Sequence, residues 1–293
     1  MSESATPRKP AWLKVRMAHT KTFHGVRTLL GELHLSTVCE EAACPNRGEC
    51  WSRGTATILI MGDVCTRSCR FCNVQTGRPA PLDHTEPQRV AEAVRAMGLR
   101  YAVITSVDRD DLPDGGARHF AETIRAVREI SPECKVEVLI PDFKGVESSL
   151  DVVCTVAPDV LAHNLETVAR LHPSVRPQAK YWRSLQLLGR AKKRGMVTKS
   201  GIMVGLGENS DEVVQVMRDA ADVGCDIFTI GQYMQPTTQH LAVTEYVRPE
   251  LFDEWRMLGE KIGIRHVESG ALVRSSYHAE TQESGLRRAE RGR

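Results

Sequence analysis

The stretch ATILIMGDVCTRSCRFC, residues 56–72, joins an unbroken apolar run to three cysteines, Cys65, Cys69 and Cys72, spaced C-x3-C-x2-C. The run lacks the polar alternation of a half-exposed strand, so it reads as a strand covered on both faces. Five later runs repeat it: YAVITSV (101–107), KVEVLIP (135–141), PDVLAHN (158–164), TKSGIMVGLG (198–207) and DIFTIGQYM (226–234). Amphipathic helices lie between them. TEPQRVAEAVRAMG carries Pro87 in its first turn and Gly98 after its last, and NSDEVVQVMRDAADVG sets Asn209 and Glu212 at capping-box spacing. Strand then helix, repeated, predicts a right-handed parallel sheet. Six such units fall short of the eight that close a TIM barrel, so the expected fold is α/β, a partial (β/α)6 TIM-type barrel. A Rossmann-type sheet is the alternative, and the lack of G-x-G-x-x-G after the first strand counts against it. Parallel barrels build their active sites from loops after the carboxyl ends of strands, which is where the cysteine run stands.

The barrel is expected over residues 56–264. Residues 1–55 form an N-terminal extension with a second triplet, Cys39, Cys44 and Cys50, in CEEAACPNRGEC. Residues 265–293 form a C-terminal extension holding RSSYHA at 274–279 and a polar, basic tail that reads as mobile. At 293 residues and 41% hydrophobic content the chain suits one large α/β domain or two small ones. Thirty-nine basic against thirty-seven acidic residues give a net charge of +2, which rules out neither nucleic acid nor acidic protein partners; 5% aromatics and no stacking motif disfavour nucleic acid. No run of eighteen apolar residues exists, and MSESATPRKPAW has neither a signal core nor a transit pattern. The expectation is a cytoplasmic protein without a membrane partner, or a mature form whose presequence is missing.

Nine cysteines, an odd number, in such a chain point to metal ligands or catalytic thiols rather than disulfides. Cys134, Cys154 and Cys225 stand alone and read as small buried hydrophobes. The gaps among Cys65, Cys69 and Cys72 let one loop wrap three corners of a four-iron cluster, leaving the fourth iron without a protein thiolate. A zinc knuckle, a redox pair of Cys69 and Cys72, and plain buried thiols are the competing readings. Zinc ribbons present two C-x2-C pairs, and this chain has one.

C-x3-C-x-aromatic-C after the first strand of a partial barrel resembles the radical S-adenosylmethionine superfamily. GIMVGLGE fits the superfamily's G-x-I-x-G-x-x-E pattern at Gly201, Gly205 and Glu208, with Met203 in place of Ile. The upstream C-x4-C-x5-C and the downstream RSSY narrow the resemblance to the lipoyl synthase family. So do KPAWLKVR (9–16), TSVDRDDLPDGGA (105–117), HNLETV (163–168), KSGIMVGLGE (199–208) and GQYMQPT (231–237). The resemblance implies two 4Fe-4S clusters. One, on Cys65, Cys69 and Cys72, would bind S-adenosyl-L-methionine at its open iron. The other, auxiliary and sacrificial, would sit on Cys39, Cys44 and Cys50 with Ser276 as its fourth ligand. The implied activity is insertion of two sulfur atoms at C6 and C8 of an octanoyl chain carried on a lysine. The implied partners are octanoylated lipoyl carrier domains, namely 2-oxoacid dehydrogenase E2 subunits and the glycine cleavage H protein, a ferredoxin or flavodoxin reductant, and an iron-sulfur carrier that rebuilds the spent cluster. N- and C-terminal extensions would cover the open face of the barrel, with a partner or substrate contact near Trp12.

By the same resemblance Thr105, Ser106 and Asp108 contact the amino-acid part of the cofactor; a turn whose Asp and Gly residues serve the backbone is the competing reading. Asn164 and Glu166, after the fourth strand, would reach the ribose hydroxyls or the carboxylate, and Gly205 would let the backbone approach the adenosyl group. Lys199 reads either as a snorkelling surface lysine or as a cofactor contact. His163 and His240 read as hydrogen-bonded histidines rather than ligands. RAKKR (190–194) and RRAERGR (287–293) read as solvated basic faces, with docking of an acidic carrier as the functional alternative.

Overall fold

A computed structural model describes residues 9–13, 28–38, 44 and 46–282. Its strands are β1 (Ser36–Thr37), β2 (Thr55–Ile60), β3 (Val64–Cys65), β4 (Gln75–Thr76), β5 (Tyr101–Ser106), β6 (Lys135–Leu139), β7 (Val160–Ala162), β8 (Thr198–Val204), β9 (Ile227–Gln232) and β10 (His266–Gly270). Its helices, in chain order, are α1 (Arg47–Ser52), α2 (Glu86–Ala96), α3 (Ala117–Ile130), α4 (Glu147–Thr155), α5 (His172–Val175), α6 (Tyr181–Lys193), α7 (Ser210–Asp222) and α8 (Pro249–Ile262). Among the described residues, eight strands form one sheet in the order β1-β2-β5-β6-β7-β8-β9-β10, and all neighbours from β2 onward are parallel. All six expected strands are present. β2, β5 and β9 are nearly fully buried, as unbroken apolar runs require.

Alternate residues of each strand face opposite ways. Ala56, Ile58, Ile60, Ala102, Ile104, Val136 and Val138 pack outward on Val90, Val94, Ile124 and Val127 of α2 and α3. Ile202, Val204, Phe228, Ile230 and Val267 pack outward on α7 and α8 through Val213, Val216, Met217, Phe252 and Trp255. Each Val, Ile, Met or Phe among them contributes about 1.5–3 kcal/mol by leaving water. Helix ends follow the sequence: a proline opens α2, Gly98 after it takes φ 60°, and α7 has the full Asn209–Glu212 capping box.

Two findings extend the expected layout. β10, parallel to β9, lies in the segment assigned to the C-terminal extension, so the sheet runs past residue 264. HVESG has one apolar outward residue, Val267, between inward His266 and Glu268, which is too weak a pattern to announce a strand. At the other edge β1 pairs antiparallel with β2. After β10 the chain turns back between the two ends of the parallel sheet. The Ser276 hydroxyl accepts from Thr57 Oγ1 of β2 at 2.8 Å, while His278 Nδ1 stands 3.7 Å from Glu268 of β10. The C-terminal segment therefore bridges the first and last parallel strands of the open barrel. No helix among the described residues is long and apolar enough to cross a membrane.

Candidate active site

Met61 and Gly62, at φ 68° and 91°, turn the chain out of β2 into the cysteine loop. The short β3–β4 ladder closes the base of the loop, with Gly77 N–H on the Cys65 carbonyl at 2.9 Å. Cys72 N–H bonds the Cys69 carbonyl at 3.0 Å, and His240 Nε2 reaches the Cys72 carbonyl at 3.0 Å. Cys65 Sγ accepts two backbone N–H bonds, from Arg67 at 3.4 Å and Asp108 at 3.3 Å. Burial raises the pKa of all three thiols, that of Cys72 to about 12, and at Cys69 the Arg176 guanidinium partly offsets this. Left alone these are neutral thiols, and a metal that replaces the proton removes the cost of their ionisation. Among the described residues no three His, Cys, Asp or Glu side chains converge as ligands of one ion; thiolates on the corners of a cluster are set wider than that.

Beside the loop, the carboxyl ends of β5 and β7 and the residue after α5 present buried polar atoms with no hydrogen-bond partner in the protein: Ser106 Oγ, Asp108 Oδ1, Asn164 Oδ1 and Arg176 Nε. Buried polar atoms are rarely left so, and donors, acceptors and a cation gathered at one spot fit the amino and carboxylate ends of an amino-acid moiety. Asn164 Nδ2 donates to Glu166 Oε1 at 3.0 Å, and Arg176 Nη1 donates to the Asn164 carbonyl at 2.7 Å. Burial raises the carboxyls of Asp108 and Glu166, with Arg176 opposing at both. Glu166 holds φ 66°, a strained value for a non-glycine residue and of a kind that clusters at functional sites. Arg176 belongs to no motif. Nothing in the sequence marks an arginine after α5 as facing Cys69, Asp108 and Glu166 together.

Three sequence candidates do other work. Thr105 Oγ1 donates to the Leu139 carbonyl at 2.9 Å, stitching β5 to β6. A side chain at Gly205, φ 96°, would collide with Gln232 Nε2 and the Glu245 carbonyl, so packing by itself demands glycine there; Glu208 accepts from the backbone N–H of Gly205 and of Leu206. Lys199 is neither a snorkelling surface residue nor beside the cysteine loop. It is 1% exposed, near the start of β8, and its Nζ bonds Glu137 at 2.9 and 3.2 Å. Tyr101 Oη donates to the same carboxylate at 2.8 Å.

His163 bonds the Ile140 carbonyl and Ser184 Oγ, both at 2.8 Å, and Cys134, Cys154 and Cys225 are buried. Trp12 is exposed and Leu13 buried, while residues 14–16 of KPAWLKVR lie outside the described residues. In RAKKR, Arg190 pairs with Glu147, Lys192 with Asp226 and Arg194 with Asp151, which leaves little free charge for docking. RRAERGR lies outside the described residues.

The second constellation gathers residues far apart in sequence. Cys44, Cys50, Asn46, Thr57, Arg274, Ser276 and Tyr277 line one small cavity; Cys39 lies outside the described residues. The segment around α1, residues 46–55, is latched to residues 272–280, which include RSSYHA, at several points. Asn46 Nδ2 donates to the Leu272 carbonyl at 2.6 Å, Tyr277 Oη donates to Glu49 at 3.2 Å, and His278 Nε2 meets Glu49 at 3.2 Å. Arg53 pairs with Glu280 at 2.9 Å, and Thr55 Oγ1 donates to the same residue at 3.1 Å. Tyr277 and His278 stack with ring centres 3.8 Å apart. Two thiols and a serine hydroxyl thus face a common space, a donor set that fits a second iron-sulfur group.

A family model described as the Radical SAM superfamily matches residues 59–220, and the N-terminal domain of lipoyl synthase of that family matches residues 1–44. The lipoyl synthase of Rubrobacter xylanophilus is 55% identical over 286 residues, 97% of this chain and 89% of that protein. That of Caldanaerobacter subterraneus is 54% identical over 94% of this chain and 97% of its own. The mitochondrial lipoyl synthase of Nematostella vectensis is 52% identical over 93% and 94%. Among solved structures, methylornithine synthase shares the fold at TM-score 0.55 with 15% identity, covering 93% of each chain. HydG, a maturase of the FeFe-hydrogenase, does so at 0.58 with 14% identity, covering 84% of this chain and 54% of its own. The partial barrel with its cysteine loop, and the relatives that match it from end to end, place this chain in the radical SAM superfamily and, within it, in the lipoyl synthase family.

Proposed function

We propose that this chain inserts two sulfur atoms, at C6 and C8, into an octanoyl chain held in amide linkage on a lysine of a lipoyl carrier domain. In this reading Cys65, Cys69 and Cys72 hold one 4Fe-4S cluster, and Cys39, Cys44, Cys50 and Ser276 hold an auxiliary one that serves as the sulfur donor. When bound, the first cluster with S-adenosyl-L-methionine supplies a carbon-centred radical able to take hydrogen from an unactivated C–H bond. The observation that carries the reading is the meeting of Cys44, Cys50 and Ser276 on one cavity, secured by a Thr57–Ser276 hydrogen bond spanning 219 residues.

The protein's own residues orient and seclude. Arg176, Ser106 and Asn164 would offer their unpartnered atoms to the cofactor's amino-acid end, and Asp108 and Glu166 would be acceptors for its amino N–H groups. Ser276 would give the auxiliary group one oxygen among sulfurs, a harder and less fitting ligand for iron than thiolate, and would therefore be its most weakly held corner. Thr57 Oγ1, which donates to the Ser276 oxygen at 2.8 Å, would orient it. The partners are octanoylated E2 and H-protein carriers, a ferredoxin or flavodoxin reductant, and an iron-sulfur carrier that restores the donor.

The test loads the full-length chain with isotopically labelled sulfide and supplies unlabelled sulfide in solution. Label in both product sulfurs supports the reading. Unlabelled product, or full turnover by Ser276→Cys with sulfur drawn from solution, contradicts it.

A further inference from the structure

Between the first two thiols of the cysteine loop lies Arg67, whose side chain is 2% exposed although its backbone belongs to a surface loop. It is the centre of a charge cluster drawn from three separate loops. Its Nε and Nη2 make a two-pronged pair with Asp110 at 2.8 and 2.9 Å, and Nη2 also reaches Asp142 Oδ1 at 2.6 Å. Nη1 stands 3.4 Å from Asp108. Asp142 is fully buried and is held in turn by the Lys144 N–H at 3.0 Å and by Arg183 at 3.1 Å. Lys144 Nζ donates to the Asp110 carbonyl at 2.9 Å, and Arg176 faces Asp108 from the far side. Thr66, the neighbour of Arg67, fastens the same two loops. Its hydroxyl donates to the Asp108 carbonyl at 2.9 Å and accepts from Asp110 N–H at 3.0 Å.

Arg67 and Thr66 thereby tie the segment that spaces Cys65 from Cys69 to the loops of Asp108, Asp110 and Asp142. We infer that Arg67 is a positioning residue for the site formed by Cys65, Cys69 and Cys72. It clamps the loop to the ends of β5 and β6, and its buried charge sets the reduction potential of the cluster those thiols hold. The inference rests on the reading of that triplet as a cluster site. The physical ground is that groups just beyond the ligands fix ligand geometry and that net charge around a cluster tunes its potential. Arg67 offsets carboxylates that would otherwise oppose the arrival of an electron. Removing the cation makes reduction harder, and removing one of its carboxylate partners makes it easier.

The experiment compares full-length wild type, Arg67→Met, Arg67→Lys and Asp110→Asn after anaerobic reconstitution, reading iron per chain and the midpoint potential by electron paramagnetic resonance. The signal that changes on adding S-adenosylmethionine identifies the cluster concerned. Arg67→Met is expected to lower the midpoint by a tenfold change in the reduced-to-oxidised ratio, about 59 mV for one electron. Asp110→Asn is expected to raise it, and Arg67→Lys to remain within about threefold of wild type. A purely structural role would lower iron content without moving the potential in opposite directions. Full iron content with neither neutral variant shifted, or with both shifted the same way, overturns the inference. If Arg67→Met takes up no iron, Asp110→Asn decides alone: an upward shift supports the charge role and an unmoved midpoint overturns it. A wild-type chain that binds no iron overturns the cluster reading itself, and the iron assay separates that failure from the other.

Discussion

Lys199 shows how far a single residue's reading depends on a partner remote in sequence. Its ammonium and the Glu137 carboxylate, 62 positions apart, are both about 1% exposed and bond each other inside the barrel. Truncating one partner of such a pair leaves an uncompensated buried charge, so Lys199→Met is expected to cost about 3–5 kcal/mol, read from urea unfolding. Lys199→Met combined with Glu137→Leu is expected to cost clearly less, and equal losses in the two variants would contradict a paired role. His163 carries a pH signature. Burial, with Arg176 nearby, pulls its imidazole from 6.5 down to about 4. An unfolded imidazole takes a proton below 6.5 while the folded one stays neutral, so the unfolded chain binds more protons in that window. Stability therefore falls as pH falls from 6.5 towards 4, by on the order of 3 kcal/mol for this group. Denaturant midpoints measured across this range should decline less steeply in His163→Gln; an unchanged slope would contradict the assignment.

Among the elements, legibility followed locality. The capping box of α7 and the proline at the start of α2 were read from neighbouring residues, and the fold placed them as expected. Asn209→Ala should lose about 1 kcal/mol in thermal or chemical unfolding; no loss would mean that the Arg170–Glu212 pair, 2.7 Å apart, holds the helix end by itself. β10 escaped because its inward residues are polar and contribute to the interior rather than to an apolar stripe. The latch between α1 and RSSYHA was invisible for another reason: its bonds span more than 200 residues, and no local pattern encodes them. Gly231 reveals how tightly that latch is fitted. A Cβ there would collide with the Val273 carbonyl and lie 3.5 Å from Arg274 Nη1. Gly231→Ala should displace Arg274 and Ser276 while leaving the Cys65 loop intact. Iron content is then expected to drop from about eight to about four per chain, and retention of all eight would contradict the placement of Ser276.

At the scale of the whole molecule, one partial barrel holds two sulfur-rich sites with different surroundings. The site of Cys65, Cys69 and Cys72 lies at the carboxyl ends of the strands, among unpartnered polar atoms and Arg176. The site of Cys44, Cys50 and Ser276 lies where the C-terminal segment crosses from β10 to β2. The cysteine spacings singled out both groups of thiols in the sequence, because spacing is a local feature. The residues that join each group from elsewhere, Arg176 at one and Thr57 at the other, come from distant elements and became visible only in the fold. The most direct test of the account is mass spectrometry of an octanoylated lipoyl-domain lysine after anaerobic incubation with the cluster-loaded chain, S-adenosylmethionine and a reductant. The account predicts a lysine adduct that has gained two sulfur atoms and lost hydrogen at C6 and C8. An octanoyl group that emerges unmodified from a fully iron-loaded chain would contradict it.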